Sequence, residues 1–393
     1  MNYNFDEIID RSGSHCVKIE KMFDIWGRSD LLPLWVADMD FKTPPFIIDT
    51  IQKRLQHPVL GYSCPHHGYY ASIINWVWKR YGMEVQKEQI HFVPGIVPGI
   101  YMVVNALTEK GDKIVIQQPV YHPFKQVVES SGRICVNNPL QLTDKRYQMD
   151  FDHLRNVIKG CKLFILCNPH NPGGTVWGQK DMEMLAEICS QYGVTVISDE
   201  IHADLTLPPH RHIPFALSGE TAKQLSITLM SPSKVFNMPG LVASHAIVFN
   251  NQLRGKLFNY IAYNGLDLGS VFSYLAVETA YTQGEEWLEQ LMDYLQDNIA
   301  FVENWLHTKM PAIKIIPPQA SFLLFVDCRG LGFSSQRELD DLFVQKAKLA
   351  LNSGTLFGSE GEGFMRLNIA TPRTILEKAM NQLKEAHRAL GFH

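Results

Sequence analysis

Short apolar runs punctuate the chain at 113–117, 162–167, 194–198 and 225–230. Each has strand length and is hydrophobic on successive positions, the pattern of a strand buried on both faces. Between and before them apolar positions recur every three or four residues, which predicts helices over 72–81, 99–107 and 181–192. Strands alternating with helices predict an α/β fold, a mostly parallel central sheet flanked by helices. Beyond residue 285 the texture changes. A long helical pattern covers 285–308, followed by a strand at 321–326 and a helix at 335–350. A glycine-rich stretch at 354–363, a strand at 364–369 and a last helix at 374–390 complete the chain. This part reads as a smaller α+β domain. The first fifty residues, with Pro33, Trp35, Pro44 and Pro45, read as an arm that contributes to the small domain and the active site. The expected division is an arm at 1–50, a large ligand-binding domain at 51–285 and a small domain at 286–393.

A sheet of this kind places ligands beyond the carboxyl ends of its strands. The polar residues gather there. Asn168 and Asn171 follow one apolar run, and Asp199, Glu200 and His202 follow another. Ser231, Ser233 and Lys234 follow a third, and Tyr121 comes shortly after a fourth.

Charge and composition narrow the function. Lys and Arg number 36 against 40 Asp and Glu, a net charge of −4, which excludes the basic footprint of a nucleic-acid surface. Charged residues are 19% of the chain, below the typical ~25%, so large buried surfaces are expected. No apolar run approaches the length of a membrane span. The acids Asp6, Glu7 and Asp10, with no apolar core around them, argue against a signal peptide, and the expected location is the cytoplasm. Seven cysteines without a CxxC pair read as inert thiols in a reducing compartment, a catalytic cysteine being the alternative. His66, His67, His202, His210 and His212 follow no zinc spacing, so no metal is expected. Asp38 and Asp40 leave two readings open, ordering the arm or exchanging protons.

Lys234 directs the chemistry. A lysine just past a buried strand loses hydration, which lowers its pKa and suits it to act as a Schiff-base nucleophile. Asp199 ends another strand. These parts match what pyridoxal 5'-phosphate (PLP) requires: a lysine for its aldehyde, a carboxylate for its pyridine nitrogen, and hydroxyls with free N–H groups for its phosphate. The segment PGIVPG at 94–99 supplies those N–H groups if a helix begins there. Tyr121, in PVYHPF, can lie flat against the ring.

Taken together, WVADMDF at 35–41, GYSCP at 61–65, PGIVP at 94–98, PVYHPF at 119–124, CNPHNPGG at 167–174, SDEIHADL at 198–205, SPSKVFNMPGL at 231–241 and GFMRLNIATPR at 363–373 resemble a known family. The chain resembles the fold-type I PLP-dependent enzymes of the aminotransferase superfamily, and within them the PatB/MalY-type cystathionine β-lyases, or C–S lyases. The resemblance implies roles. Lys234 is the Schiff-base lysine, Asp199 pairs with the pyridine nitrogen, Asn171 bonds the ring phenolate oxygen, and Tyr121 stacks on the ring. The Ile96 and Val97 amides, Ser231 and Ser233 hold the phosphate, and His202 lies beside the cofactor. Tyr62 reaches the phosphate of the neighbouring subunit of a homodimer. Arg366 grips the carboxylate of an amino-acid substrate, helped by backbone near Ala37 and by Asn171, a task that suits a bidentate guanidinium.

Three departures from the wider aminotransferase pattern stand out. His202 replaces a tyrosine three residues after the aspartate, as is usual in the C–S lyase group. Gly173 replaces the threonine of Asn-Pro-Thr-Gly, which is expected to loosen a turn without removing a contact. No arginine stands at 242–245, so the phosphate must rely on hydroxyls and amides. The implied reaction is α,β-elimination of cystathionine or related cysteine S-conjugates to a thiol, pyruvate and ammonia. An aminotransferase is the first alternative. A regulatory protein on a retired scaffold is the second, opposed by the joint presence of Lys234, Asp199, Asn171, Tyr121 and Arg366. The 262–272 segment and the arm are expected to shape the pocket for the leaving thiol.

Overall fold

The computed structural model describes residues 2–143 and 146–389. Seven strands form the central sheet: β1 (Ile90–Val93), β2 (Lys113–Ile116), β3 (Ile134–Asn137), β4 (Cys161–Cys167), β5 (Thr195–Asp199), β6 (Ser226–Met230) and β7 (Ser244–Ile247). They lie in the order β1-β7-β6-β5-β4-β2-β3. Strand β7 runs antiparallel to β1 and β6, and every other pair is parallel. Six strands therefore end on one edge of the sheet.

The alternation of side chains explains the continuous apolar runs. Leu163, Ile165 and Cys167 on β4 join Ile197 in one core, whereas Phe164 and Leu166 join Val196 in the core on the opposite face. Period-two alternation with both faces buried leaves no polar position to interrupt the run. Helices α1 (Pro45–Leu55), α2 (His67–Tyr81), α3 (Ile96–Leu107), α4 (Gln179–Gln191), α5 (Asn251–Tyr263) and α6 (Val271–Gln283) cover the sheet or brace one another around it. Helix α2 starts five residues before the expected 72, because the His66 ring nitrogen accepts the Tyr69 N–H and caps its first turn.

A second sheet, β8 (Lys314–Ile315), β9 (Leu323–Asp327), β10 (Asn352–Ser353) and β11 (Phe364–Asn368), is antiparallel in the order β8-β9-β11-β10. The long helix α7 (Glu285–Lys309) and the last helix α8 (Arg373–Ala389) pack together beside it. The helix expected over 335–350 is shorter. It runs as an α-helix from Gln336 to Asp341 and widens to a π-turn over Leu342–Lys346. Lys348 then takes a left-handed φ of 55°, which breaks the helix, and Leu349–Ala350 becomes a strand paired with Leu32–Pro33.

That pairing shows what the first fifty residues do. They include two short helical turns, Val17–Glu20 and Met22–Trp26, and are stitched onto the later sheet. Leu34 N–H donates to the Ala350 carbonyl at 2.9 Å, and Asn368 N–H donates to the Leu34 carbonyl at 3.0 Å. The Asn368 side-chain amide donates to the carbonyls of Val36 at 2.6 Å and Asp38 at 2.7 Å. Among the described residues no helix is long and apolar enough to cross a membrane.

Candidate active site

The shared strand edge builds the site. Asp199 is the last residue of β5, Asn171 lies four residues past β4, Lys234 four past β6, and Tyr121 five past β2. Just past β1, Gly95 adopts φ +111°, a conformation that side chains strain to reach, and α3 starts at Ile96. These residues converge on a cavity of about 200 Å³. Its walls include Ile96, Val97, Tyr121, Asn171, Asp199, His202, Ser233, Lys234 and the arm residue Ala37. It adjoins a larger cavity of about 920 Å³ between the arm and the 237–240 turn, which Lys234 and Ala37 also line.

Lys234 is half-buried, one side facing the cavity and the rest enclosed by protein. Its Nζ donates to the Ala37 carbonyl at 2.6 Å. Lost hydration lowers its pKa to about 8, against the opposing pull of Asp38 and Asp199. Asp199 is 3% exposed and accepts the Ile201 N–H at 3.1 Å. Burial raises it to about 7, and the neighbouring Glu200 charge pushes the same way. Glu200 is itself buried, held by the Ser198 hydroxyl, the Phe215 N–H and His212. A carboxyl kept poorly solvated at a cavity wall gains from a cationic N–H partner placed in that cavity.

His202 is 3% exposed, and its Nδ1 has no hydrogen-bond partner. Burial first, then Lys234 and Arg366, lowers its pKa to about 3, so the ring is neutral at physiological pH. Arg366, on β11, is buried with its guanidinium over the Phe357 ring. Its Nη atoms donate to Asn171 Oδ1 at 3.3 Å, the Trp35 carbonyl at 2.9 Å and Asn352 Oδ1 at 2.8 Å, while Nε is unpartnered. With only neutral acceptors around it, burial lowers even this guanidinium to about 10.

Not every expected residue reaches the cavity. Ser231 stands behind the wall: its hydroxyl donates to the Ala243 carbonyl at 2.5 Å and accepts the Ser233 N–H at 3.1 Å, so it braces Ser233. Tyr62 is 97% exposed and lies outside the cavity of its own chain, in a surface hollow with Leu268–Phe272. Within one chain, the 268–272 part of the expected thiol pocket therefore faces Tyr62, and the arm faces Lys234. Val242 stands where the arginine is missing. It holds φ 52° and lines the cavity.

The glycine departure has a packing cause that differs from the expected loosening. Gly173 is buried, and its N–H donates to His170 Nδ1 at 3.2 Å. A Cβ there would stand 2.5 Å from Tyr147 Cδ2 and 2.8 Å from His170 Nδ1. Tyr147 and His170 occupy the space a threonine would need, so the turn is tight.

The sequence reading missed Arg11, Lys18, Asn237 and Asn368. Arg11 and Lys18 form ion pairs with both Asp38 and Asp40 at 2.6–3.0 Å, so the two acids are paired within the arm. The signal was available in part, since two acids within an apolar segment require partners. Asn237, three residues past Lys234, donates to the Met39 and Phe41 carbonyls and accepts the Met39 N–H. His212, read as a loop residue, is buried against Glu200 at 2.8 Å. Among the described residues no group of three or more His, Cys, Asp or Glu is arranged to hold a metal.

The cavity's donor set suits PLP: a primary amine, a buried carboxyl, a flat aromatic ring at Tyr121, and first-turn amides at Ile96 and Val97 that have no intrahelical acceptor. Residues 29–383 match the family "Aminotransferase class I and II", and the chain belongs to it. Cystathionine beta-lyase PatB of Bacillus subtilis (strain 168) is 40% identical over 98% of this chain and 99% of its own. A PLP-bound protein described as an aminotransferase, from Clostridium difficile 630, is 41% identical with a TM-score of 0.96, covering 98% of this chain and 100% of its own. The PLP-bound C-S lyase from Staphylococcus hominis is 34% identical with a TM-score of 0.91, over 98% of each chain.

Proposed function

We propose that this protein is a PLP-dependent carbon–sulfur lyase. It cleaves cystathionine or a related cysteine S-conjugate by α,β-elimination to a thiol, pyruvate and ammonia. The observation that carries the reading is the full-length similarity to a cystathionine beta-lyase, supported by Lys234, Asp199, Asn171 and Tyr121 at one edge of the central sheet and Arg366 on β11 beside Asn171.

When bound, PLP supplies an electron sink for the pair released at the substrate Cα. The chain does the rest. Asp199 holds a proton on the pyridine nitrogen, and Tyr121 packs against the ring face. Asn171 would bond the ring's phenolate oxygen, and the neutral His202 would lie beside the cofactor. The Ile96 and Val97 amides and Ser233 hold the phosphate, with Ser231 bracing Ser233. Arg366 and Asn171 orient the substrate carboxylate near the Ala37 backbone. Lys234 Nζ, of lowered basicity, takes the Cα proton as general base.

In this reading the arm (1–50), a large domain (51–285) and a small domain (286–393) meet at the site. A homodimer brings Tyr62 to the neighbouring subunit's phosphate, which accounts for its exposure here. The expected location is the cytoplasm. The test is to incubate purified protein with cystathionine and assay pyruvate without any added keto acid. Pyruvate release supports the lyase, and a strict requirement for a keto acid points to an aminotransferase. Borohydride should trap a pyridoxyl group at Lys234, and failure to do so overturns the reading.

A further inference from the structure

Beside Lys234 lies an ion cluster that the proposed reaction leaves unused. Lys18 is fully buried, and its Nζ reaches Asp38 at 3.0 Å and Asp40 at 2.9 Å. Arg11 reaches the same two carboxylates at 2.6 and 2.8 Å. Two cations and two anions leave no net charge. Burying such a quartet costs hydration at every member and is weak support for stability. Tethering the arm does not require it, because Asn368 and Asn237 already hold the backbone from residue 36 to residue 41. Its position is the informative feature. Ala37, whose carbonyl accepts the Lys234 amine at 2.6 Å, immediately precedes Asp38.

We propose that Asp38 is a positioning residue for Lys234: clamped by Arg11 and Lys18 next to the Ala37 carbonyl that accepts the amine, it presents a negative charge that favours the protonated nitrogen. This rests on the lyase reading above and concerns the basicity of the nitrogen that reading uses. The groups facing Lys234 are Asp38 and Lys18 from the arm, Asp199 at the end of β5, His202 just past it, and Arg366 from β11. Asp38 exerts the largest attraction of an opposite charge on the amine, ahead of Asp199. Arg366 and Lys18 act against it, and the neutral His202 adds no charge. Lys18 therefore has two effects. It holds Asp38 in place and partly offsets its field.

The test reads the visible absorbance of the holoenzyme against pH, which follows the protonation of the nitrogen linking Lys234 to the cofactor. Asp38→Asn keeps the shape and removes the charge, so the midpoint should fall by about one pH unit. Arg11→Gln removes a neutralising cation while Lys18 still holds Asp38, so the midpoint should rise. Opposite shifts support the inference, and Arg11→Gln alone tests it if Asp38→Asn does not fold. Unchanged midpoints, or shifts in one direction, reduce the quartet to a structural tie and overturn it. A native protein that shows no visible band fails the cofactor assignment itself, a distinguishable result.

Discussion

Arg366 Nη1 donates to Asn171 Oδ1 at 3.3 Å, joining the fourth strand's loop to the second sheet across the site. The guanidinium is buried among neutral acceptors and keeps an unpartnered Nε. A substrate carboxylate would supply the missing countercharge. Arg366→Lys retains a charge but loses the planar fork. KM should rise roughly 10–100-fold, the loss of a charged hydrogen bond, while the cofactor's absorbance is retained. Steady-state kinetics with a spectrum of each variant checks this. Equal loss of colour and turnover would give Arg366 a structural role instead.

Lys234→Ala should lower turnover by about 10⁴-fold, since it removes both the covalent anchor and the general base. The side chain lines a cavity and is not part of a packed core, so thermal unfolding of the apoprotein should change little. Near-normal turnover would overturn the assignment of the base.

Asp199 gives a pH-dependent signature in the cofactor-free protein. Its folded pKa, about 7, lies above its ordinary value of 3.8. Folding therefore favours the protonated carboxyl, and that stabilisation is complete below about pH 4. It is lost as pH rises from there through 7. Asp199→Asn removes the titration. Above pH 7 the apo variant should be more stable than the apo wild type by an amount on the order of a few kcal/mol, with little difference at pH 4. Denaturant unfolding at both pH values measures it. In the holoprotein the same change should weaken cofactor retention, because the pyridine nitrogen loses its anion.

Gly173 and Tyr147 should be coupled. Gly173→Thr places a Cβ against Tyr147 and His170 and should cost about 1–3 kcal/mol of stability. Tyr147→Ala in the same chain frees that volume and should recover part of the loss. A double-mutant cycle by urea unfolding reads the coupling, and simple additivity would refute the packing account.

The parts of the fold legible in the sequence were those where burial is extreme. Strands β4, β5 and β6 are apolar on both faces, and their carboxyl ends carry Asn171, Asp199 and Lys234 in plain view. Strand β3 was missed because Ile134–Asn137 lies at the sheet edge, partly exposed, with mixed residues. Helix α6 was missed because it is buried around most of its circumference, which erases the amphipathic period. The 342–350 stretch keeps a helical spacing of apolar residues, and only the left-handed Lys348 reveals that the chain turns into a strand. At the site, residue types announced the cofactor chemistry. The ion quartet linking Arg11 and Lys18 to Asp38 and Asp40 was hidden, because its members come together only through tertiary structure.

The stitching of Leu32–Pro33 to Leu349–Ala350 fixes an order of events during synthesis. As the chain leaves the ribosome, the seven-stranded sheet can close once β7 has emerged. The carbonyl that receives the lysine amine must wait for partners made roughly a hundred residues later. A truncated chain that stops short of β11 would hold the lysine and its facing carboxylate with no finished wall opposite them. The nascent chain would thus stay inert until β11 has left the ribosome.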